Sequence, residues 1–176
     1  PDALPGQKFR ANVPPKMRYE EDHKETSRRR ITRAARTVFV QVGFDRATID
    51  EIMIEAGMTR GGCYKHFSSK RDLFIEVISE AEVRVPAEIV CSAQAILGRY
   101  VDESHSNTGA EACPLFMFPT DVARQDSDVK QAYEAVAHSR AAVLTKALPD
   151  GNRETALAML AMSVGCMVLI NSSDDP

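Results

Sequence analysis

An all-α fold is what this sequence predicts, and three observations predict it. Apolar residues recur at the i, i+3, i+4, i+7 spacing of a helix face in several segments. The 176 residues include no tryptophan and few aromatics, and alanine, leucine, valine and methionine dominate the second half, a composition suited to packed helices rather than sheets. Capping residues and glycines punctuate the chain at helical intervals. With 44% hydrophobic residues, a chain of this length can bury a core.

Taken in order, residues 1–23 carry Pro1, Pro5, Pro14 and Pro15 without an apolar period and read as a flexible arm. The first helix is expected from Lys24 to Val42. Ile31, Ala34, Ala35, Val38, Phe39 and Val42 form its inner face, Arg28, Arg29, Arg30, Arg33 and Arg36 crowd its first half, and Gly43 caps its end. Thr48 and Glu51 have the spacing of a capping box, which starts a second, short helix with Ile49, Ile52, Met53 and Ala56 as its buried stripe and Gly57 as its stop.

The stretch GMTRGGCYKHFSSK, Gly57 to Lys70, follows. Thr59 has the character of an N-cap, and Phe67 completes an apolar set with Met58 and Tyr64. Ser69 caps again, with Asp72 three residues on, and opens a fourth helix expected over Asp72 to Val83 with Leu73, Phe74, Val77, Ile78 and Ala81 on one face. Thr48 to Phe67 therefore spells helix, tight glycine turn, short helix, a helix-turn-helix, and the domain is placed at residues 24–71.

Residues 72–176 are expected to form a second helical domain. Its later helices are predicted near Ala87 to Asp102, Pro114 to Arg124 with a kink at Pro119, Asp128 to Leu148, and Arg153 to Asn171. Val129, Tyr133, Val136, Ala137, Val143 and Leu144 are placed inward on the third of these. Polar, proline- and glycine-bearing breaks separate the helices.

The net charge of −3 conceals an asymmetry. From Lys24 to Arg71 eleven basic residues face five acidic ones, a balance of +6, whereas Asp72 to Pro176 carries −9. A basic block joined to an acidic one suits a first domain that meets a polyanion and a second that does not. Binding to an acidic protein is the rival reading of the basic face. No spacing of cysteine, histidine and acidic residues assembles a nucleophile with a base, so no enzyme, metal or cofactor is expected. Cys63, Cys91, Cys113 and Cys166 form no metal-ligand pattern and read as buried thiols. No secretory signal is visible, and the longest apolar run, Ala156 to Ile170, is short for a membrane span and carries Ser163 and Gly165. A cytoplasmic protein without a membrane partner is expected.

Gly61 and Gly62 stand where flanking signals call for a helix, although glycine there costs about 1 kcal/mol against alanine. A recognition element explains them, because a side chain would hold its backbone away from the duplex. Arg60 then has a fork that matches the O6/N7 acceptors of guanine. Lys65, His66, the Tyr64 hydroxyl and Lys70 are placed on phosphates, and Thr48 and Thr59 at helix starts that meet anions. Thr48, Thr59 and Ser69 read equally well as plain caps, and Tyr64 as core.

Arg28 to Ile78, with Ala34-Ala35, Phe39, Gly43-Phe44, Thr48 to Ile52, Ala56-Gly57, Gly62, Tyr64, His66-Phe67, Ser69-Lys70 and Leu73, strongly resembles the DNA-binding domain of the TetR/AcrR family of bacterial repressors. The resemblance implies a homodimer on a palindromic double-stranded DNA operator, with an all-helical C-terminal domain that binds an inducer. Carried onto matching positions, it supports DNA contact by Thr48, Thr59, Gly62, Tyr64, Lys65, His66 and Lys70. Ala112 to Val136 is similar to a segment of one subgroup. The chain stops at SSDDP, where such proteins usually have one more helix, and Leu73 to Tyr100 is short, with Val85-Pro86 marking a missing segment.

A small apolar effector is expected in the second domain, with Leu97, Tyr100, Phe116, Met117, Phe118, Tyr133 and Met162 as candidates to line its cavity. Ala156 to Ile170, apolar on nearly all faces, is expected to pack both inside its subunit and against a partner. The fourth helix is the candidate lever between effector and DNA. Cys113, before Pro114 at an expected helix start, raises an alternative, a thiol-based redox or electrophile sensor, since that position lowers a thiol pKa.

Overall fold

A computed structural model of the chain describes residues 15–80 and 113–172. The expected helix at Ala87 to Asp102, with Leu97 and Tyr100, the Val85-Pro86 junction and Cys91 lie outside the described residues. Among the described residues every regular element is an α-helix: α1 Pro15–Arg46, α2 Ile49–Glu55, α3 Arg60–Cys63, α4 Lys70–Ser79, α5 Pro114–Met117, α6 Pro119–Ala123, α7 Ser127–Ala147 and α8 Arg153–Asn171. The all-α expectation holds.

α1 begins at Pro15 rather than Lys24, so the backbone of residues 15–23 belongs to the helix and not to an arm. Its expected inner face is the observed one: Ile31, Ala34, Ala35, Val38 and Phe39 are buried. Gly43, with φ 77° and ψ 163°, breaks the helical geometry. Only glycine takes that backbone conformation without strain. Thr48 and Glu51 form the reciprocal capping box, each side chain accepting from the other residue's backbone N–H, at 3.2 Å and 2.9 Å. Those bonds hold the Glu51 carboxyl below the usual range, the Thr48 hydroxyl first among the causes. α2 is seven residues long, with Ile52 and Met53 buried and Gly57 at φ 60° beyond its end.

α4 buries Leu73, Phe74, Val77 and Ile78, and the Ser69 side chain caps it by accepting from the Asp72 N–H. Phe74 is fully buried. Its ring meets Phe39 edge-on at 5.1 Å, Phe44 at 4.7 Å and Phe118 edge-on at 5.2 Å between centroids. Phe39 and Phe44 come from residues 24–71 and Phe74 and Phe118 from residues 72–176, so one aromatic cluster joins both stretches of the chain.

The expected single helix over Pro114 to Arg124 is two short ones broken at Phe118, because Pro119 has no N–H to continue the ladder. α7 packs on both α4 and α8. Val129, Val136, Ala141 and Leu144 are its buried side, and Tyr133, Ala137 and Val143 flank it half-buried. α8 buries Ala156, Leu160, Ser163 and Met167, one side only. Met162 and Leu169 are 73% and 69% exposed on the other. Over Arg153–Ile170 the helix has mean hydropathy 1.6 and is 22% buried, long and apolar enough to cross a membrane by length and composition alone, which corrects the expectation drawn from the shorter run.

Because Phe74 joins helices from both domains, Phe74→Ala is expected to lower stability by about 3–5 kcal/mol. Chemical denaturation of the purified chain measures it, and a loss below about 1 kcal/mol would mean that the ring is not the keystone of the core.

Candidate nucleic-acid interface

α3 is a single turn, too short to persist alone. It is held from below. Cys63 is fully buried and Phe67 nearly so, and the Cys63 carbonyl accepts from the N–H groups of both His66 and Phe67 at 2.9 Å. The opposite side of the turn is open. Thr59, Arg60, Gly61, Tyr64 and Lys65 are all exposed there, and Tyr64, at 53% exposure, is not a core residue. Thr59 occupies the N-cap position, yet its hydroxyl makes no capping bond, which leaves that oxygen outside the helix's own ladder and corrects its reading as a plain cap.

The two glycines separate into different roles. A methyl group at Gly61 would meet no heavy atom within 4 Å, so no packing inside the protein requires a glycine there. A methyl at Gly62 would point inward, 3.4 Å from Met53 Cε and 3.7 Å from Met58 Cε. Gly62 therefore faces the methionine side chains beneath α3, whereas Gly61 faces outward.

Arg60 projects from the open side, its Nη1 on Asp50 Oδ2 at 2.8 Å, with both residues exposed. Asp50 does not stand out in the sequence, because nothing local links two residues on different helices. The same is true of Arg28. Its guanidinium takes Glu76 with two nitrogens, at 3.0 Å and 2.7 Å, donates to the His66 carbonyl at 2.8 Å and lies 4.4 Å from the centre of the Phe67 ring. One side chain thereby pins the turn after α3 to α1 and α4.

Lys70 departs from its expected phosphate role. Its ammonium donates to the carbonyls of Phe44, Asp45 and Ala47 at 2.7, 3.3 and 2.9 Å and sits over the Phe44 ring. An ammonium has three N–H donors, and all three are engaged within the protein. Lys70 closes the end of α1.

His66 borders a surface cleft of about 210 Å³ lined by Lys24, Glu25, Arg28, Lys65 and His66. Its Nδ1 is buried without a hydrogen-bond partner. Burial, then the charges of Lys24, Arg28 and Lys65, push its pKa below 6.5. The cleft thus presents three cations and one carboxylate beside an imidazole that resists a further positive charge.

Of the described residues expected to line an effector cavity, Tyr133 meets the helix that carries Phe116 and Met117, and Phe118 and Met162 lie elsewhere. Phe118 is buried against Phe74, and Met162 faces outward. Tyr133 donates its hydroxyl to the Leu115 carbonyl at 2.7 Å, and burial pushes its pKa up to about 12. Phe116 is buried and Met117 half-buried on α5. At Cys113 burial outweighs the helix start and pushes the thiol pKa up, opposite to the direction expected from its place before Pro114.

Residues 31–77 match the family of bacterial regulatory proteins called tetR. The chain is 37% identical over 101 residues to the uncharacterized HTH-type transcriptional regulator TtgW of Pseudomonas putida, covering 54% of this chain and 75% of that protein. It is 33% identical over 109 residues to the HTH-type transcriptional repressor BepR of Brucella suis, 62% of this chain and 51% of BepR. Against the HTH-type transcriptional repressor Rv1474c of Mycobacterium tuberculosis it is 36% identical over 78 residues, 44% of this chain and 41% of that one. The chain thus spans about half or less of these last two relatives. Its fold is similar to that of the reduced form of E. coli NemR, with a TM-score of 0.67 at 18% identity over 86% of this chain and 92% of NemR.

The depressed His66 pKa has a sign that can be tested. Between 6.5 and the lower folded value, the unfolded chain takes a proton that the fold refuses, so stability falls as the pH drops through that window. His66→Gln is expected to lessen the fall, read as the change in urea midpoint on acidification. An equal fall in both proteins would assign it to other groups.

Proposed function

The chain belongs to the TetR family of bacterial regulatory proteins, and from that premise we propose that it is a transcriptional repressor that binds a palindromic operator as a homodimer and is released by a small effector. One observation carries the DNA-binding part. α3 offers an exposed set of hydrogen-bond donors, Thr59, Arg60, Tyr64 and Lys65, around a glycine whose open side faces no protein atom.

In this reading Arg60 donates to a guanine edge, with Asp50 holding its fork in place. Thr48, Thr59, Tyr64, Lys65 and His66 take phosphates and set the register of the turn on the duplex. Gly61 admits the backbone, and Gly62 and Lys70 act from behind, one by packing and one by closing α1. The outer side of α8, with Met162 and Leu169 exposed beside Ala158, Ala161 and Gly165, supports a self-complementary contact with a second copy. Two heads joined in that way would meet half-sites about 34–36 Å apart or a multiple of it. Phe116 and Met117 on α5 are the candidates for contact with an apolar effector, which would release DNA by favouring a conformer with misplaced heads.

Gly61→Ala is expected to keep or raise stability, by up to about 1 kcal/mol, while weakening duplex binding. Paired thermal melts and fluorescence anisotropy on labelled duplex measure the two, and unchanged binding would remove Gly61 from the interface. Lys65→Ala is expected to weaken binding to all sequences alike and to reduce the salt slope by about one, whereas Arg60→Ala relaxes base preference, worth about 1–3 kcal/mol at one position. Selection from a random-sequence duplex library distinguishes them. An unaltered motif with Arg60→Ala would reassign base reading to another residue.

A further inference from the structure

The break at Gly43 releases a backbone donor, and a carboxylate from the second domain takes it. The Phe44 N–H donates to Asp121 Oδ1 at 3.1 Å in buried surroundings. Asp121, on α6, is the one acidic residue in the buried set among the described residues. The same oxygen lies in van der Waals reach of Gly43, 3.4 Å from where a methyl group there would stand. Phe44 is held from its other side too, since its carbonyl accepts from Lys70 and its ring packs on Phe39 and Phe74.

This corner leads directly into the Thr48 capping box and so into α2 and α3. The segment that bears Asp121 grips the head at a second point. Arg71, at the start of α4, donates to Asp126 Oδ1 at 2.9 Å and pairs with Asp128 as well. Arg124 adds a longer contact to Asp45, at 3.7 Å. An exposed pair such as the last contributes little. A buried carboxylate on a backbone N–H is different, because removing it leaves a buried donor unsatisfied.

We propose that Asp121 is a positioning residue for DNA binding: by holding the Phe44 corner it fixes the head against the helical domain, and with it the separation at which two heads engage a paired site. The inference rests on the dimeric DNA-binding reading above. It places Asp121 outside the contact surface and gives it control over geometry instead of over which bases are read.

The test uses the purified full chain, wild type and as Asp121→Ala, Asp121→Asn and Asp121→Glu, selected on a random-sequence duplex library. Two features are scored: the half-site motif and the spacing between two copies of it. Affinities are then measured for duplexes carrying one motif and two. Asp121→Ala is expected to keep the motif and the one-motif affinity, but to lose the spacing preference and at least about tenfold of two-motif affinity, since avidity disappears when geometry forbids joint engagement. Asp121→Asn, which retains an acceptor oxygen for the Phe44 N–H, is expected to keep the spacing. Asp121→Glu moves the carboxylate by a methylene and is expected to shift or broaden the spacing with the motif intact, and it decides the matter should Asp121→Ala fail to melt cooperatively. Wild-type spacing in both Asp121→Ala and Asp121→Glu overturns the proposal, as does loss of the motif along with the spacing. A wild-type chain that selects single motifs without a preferred spacing overturns it while leaving DNA binding intact. A wild-type chain that selects no motif at all sinks the DNA-binding reading and this inference with it.

Discussion

Four phenylalanine rings meet where the two domains join, and the remaining contacts are arranged around them. Phe39 comes from α1, Phe44 from the corner at its end, Phe74 from α4 and Phe118 from the break between α5 and α6. Edge-to-face and tilted pairs of this kind add about 0.5–1.5 kcal/mol beyond the area they bury. They also fix orientation, because a ring held by three others has few rotamers left. The reading head is thus continuous with the helical domain beneath it and does not hang from a linker.

What is legible in the sequence is what is local. The α1 face from Ile31 to Phe39, the Thr48–Glu51 box, the Ser69 cap and the α4 stripe all depend on spacings of three or four residues, and each stands where the spacing puts it. Contacts across long separations are not legible. Arg28 looks like one basic residue among many, yet it is the clamp on Glu76 and the His66 carbonyl. Lys70 follows a cap and looks available to a phosphate, but its donors turn back to the end of α1. The Gly61-Gly62 pair signals a close approach, but its spelling gives no means of telling which glycine lies open and which faces Met53. That difference is about 100° of rotation around a helix and becomes visible only once α2 lies alongside.

Electrostatics divides between fastening and display. The arginines that fasten, Arg28, Arg36 and Arg71, are each paired to acids on α4, at its C-terminal edge or at the start of α7. Arg71 pulls the Asp126 carboxyl down to about 2. Lys65 and Arg60 stay on the outside. An excess of +6 over Lys24 to Arg71 is thus only partly a field for a polyanion, because several of its charges are already answered inside the protein.

The brevity of α3 has a consequence for motion. A four-residue turn has no cooperative helical life of its own, so its shape is on loan from Cys63 and Phe67 below it. Its amides are therefore exposed to hydrogen exchange whenever those two anchors lift, and they should exchange together, as one small opening unit. The recognition surface lasts no longer than the grip of the core beneath it.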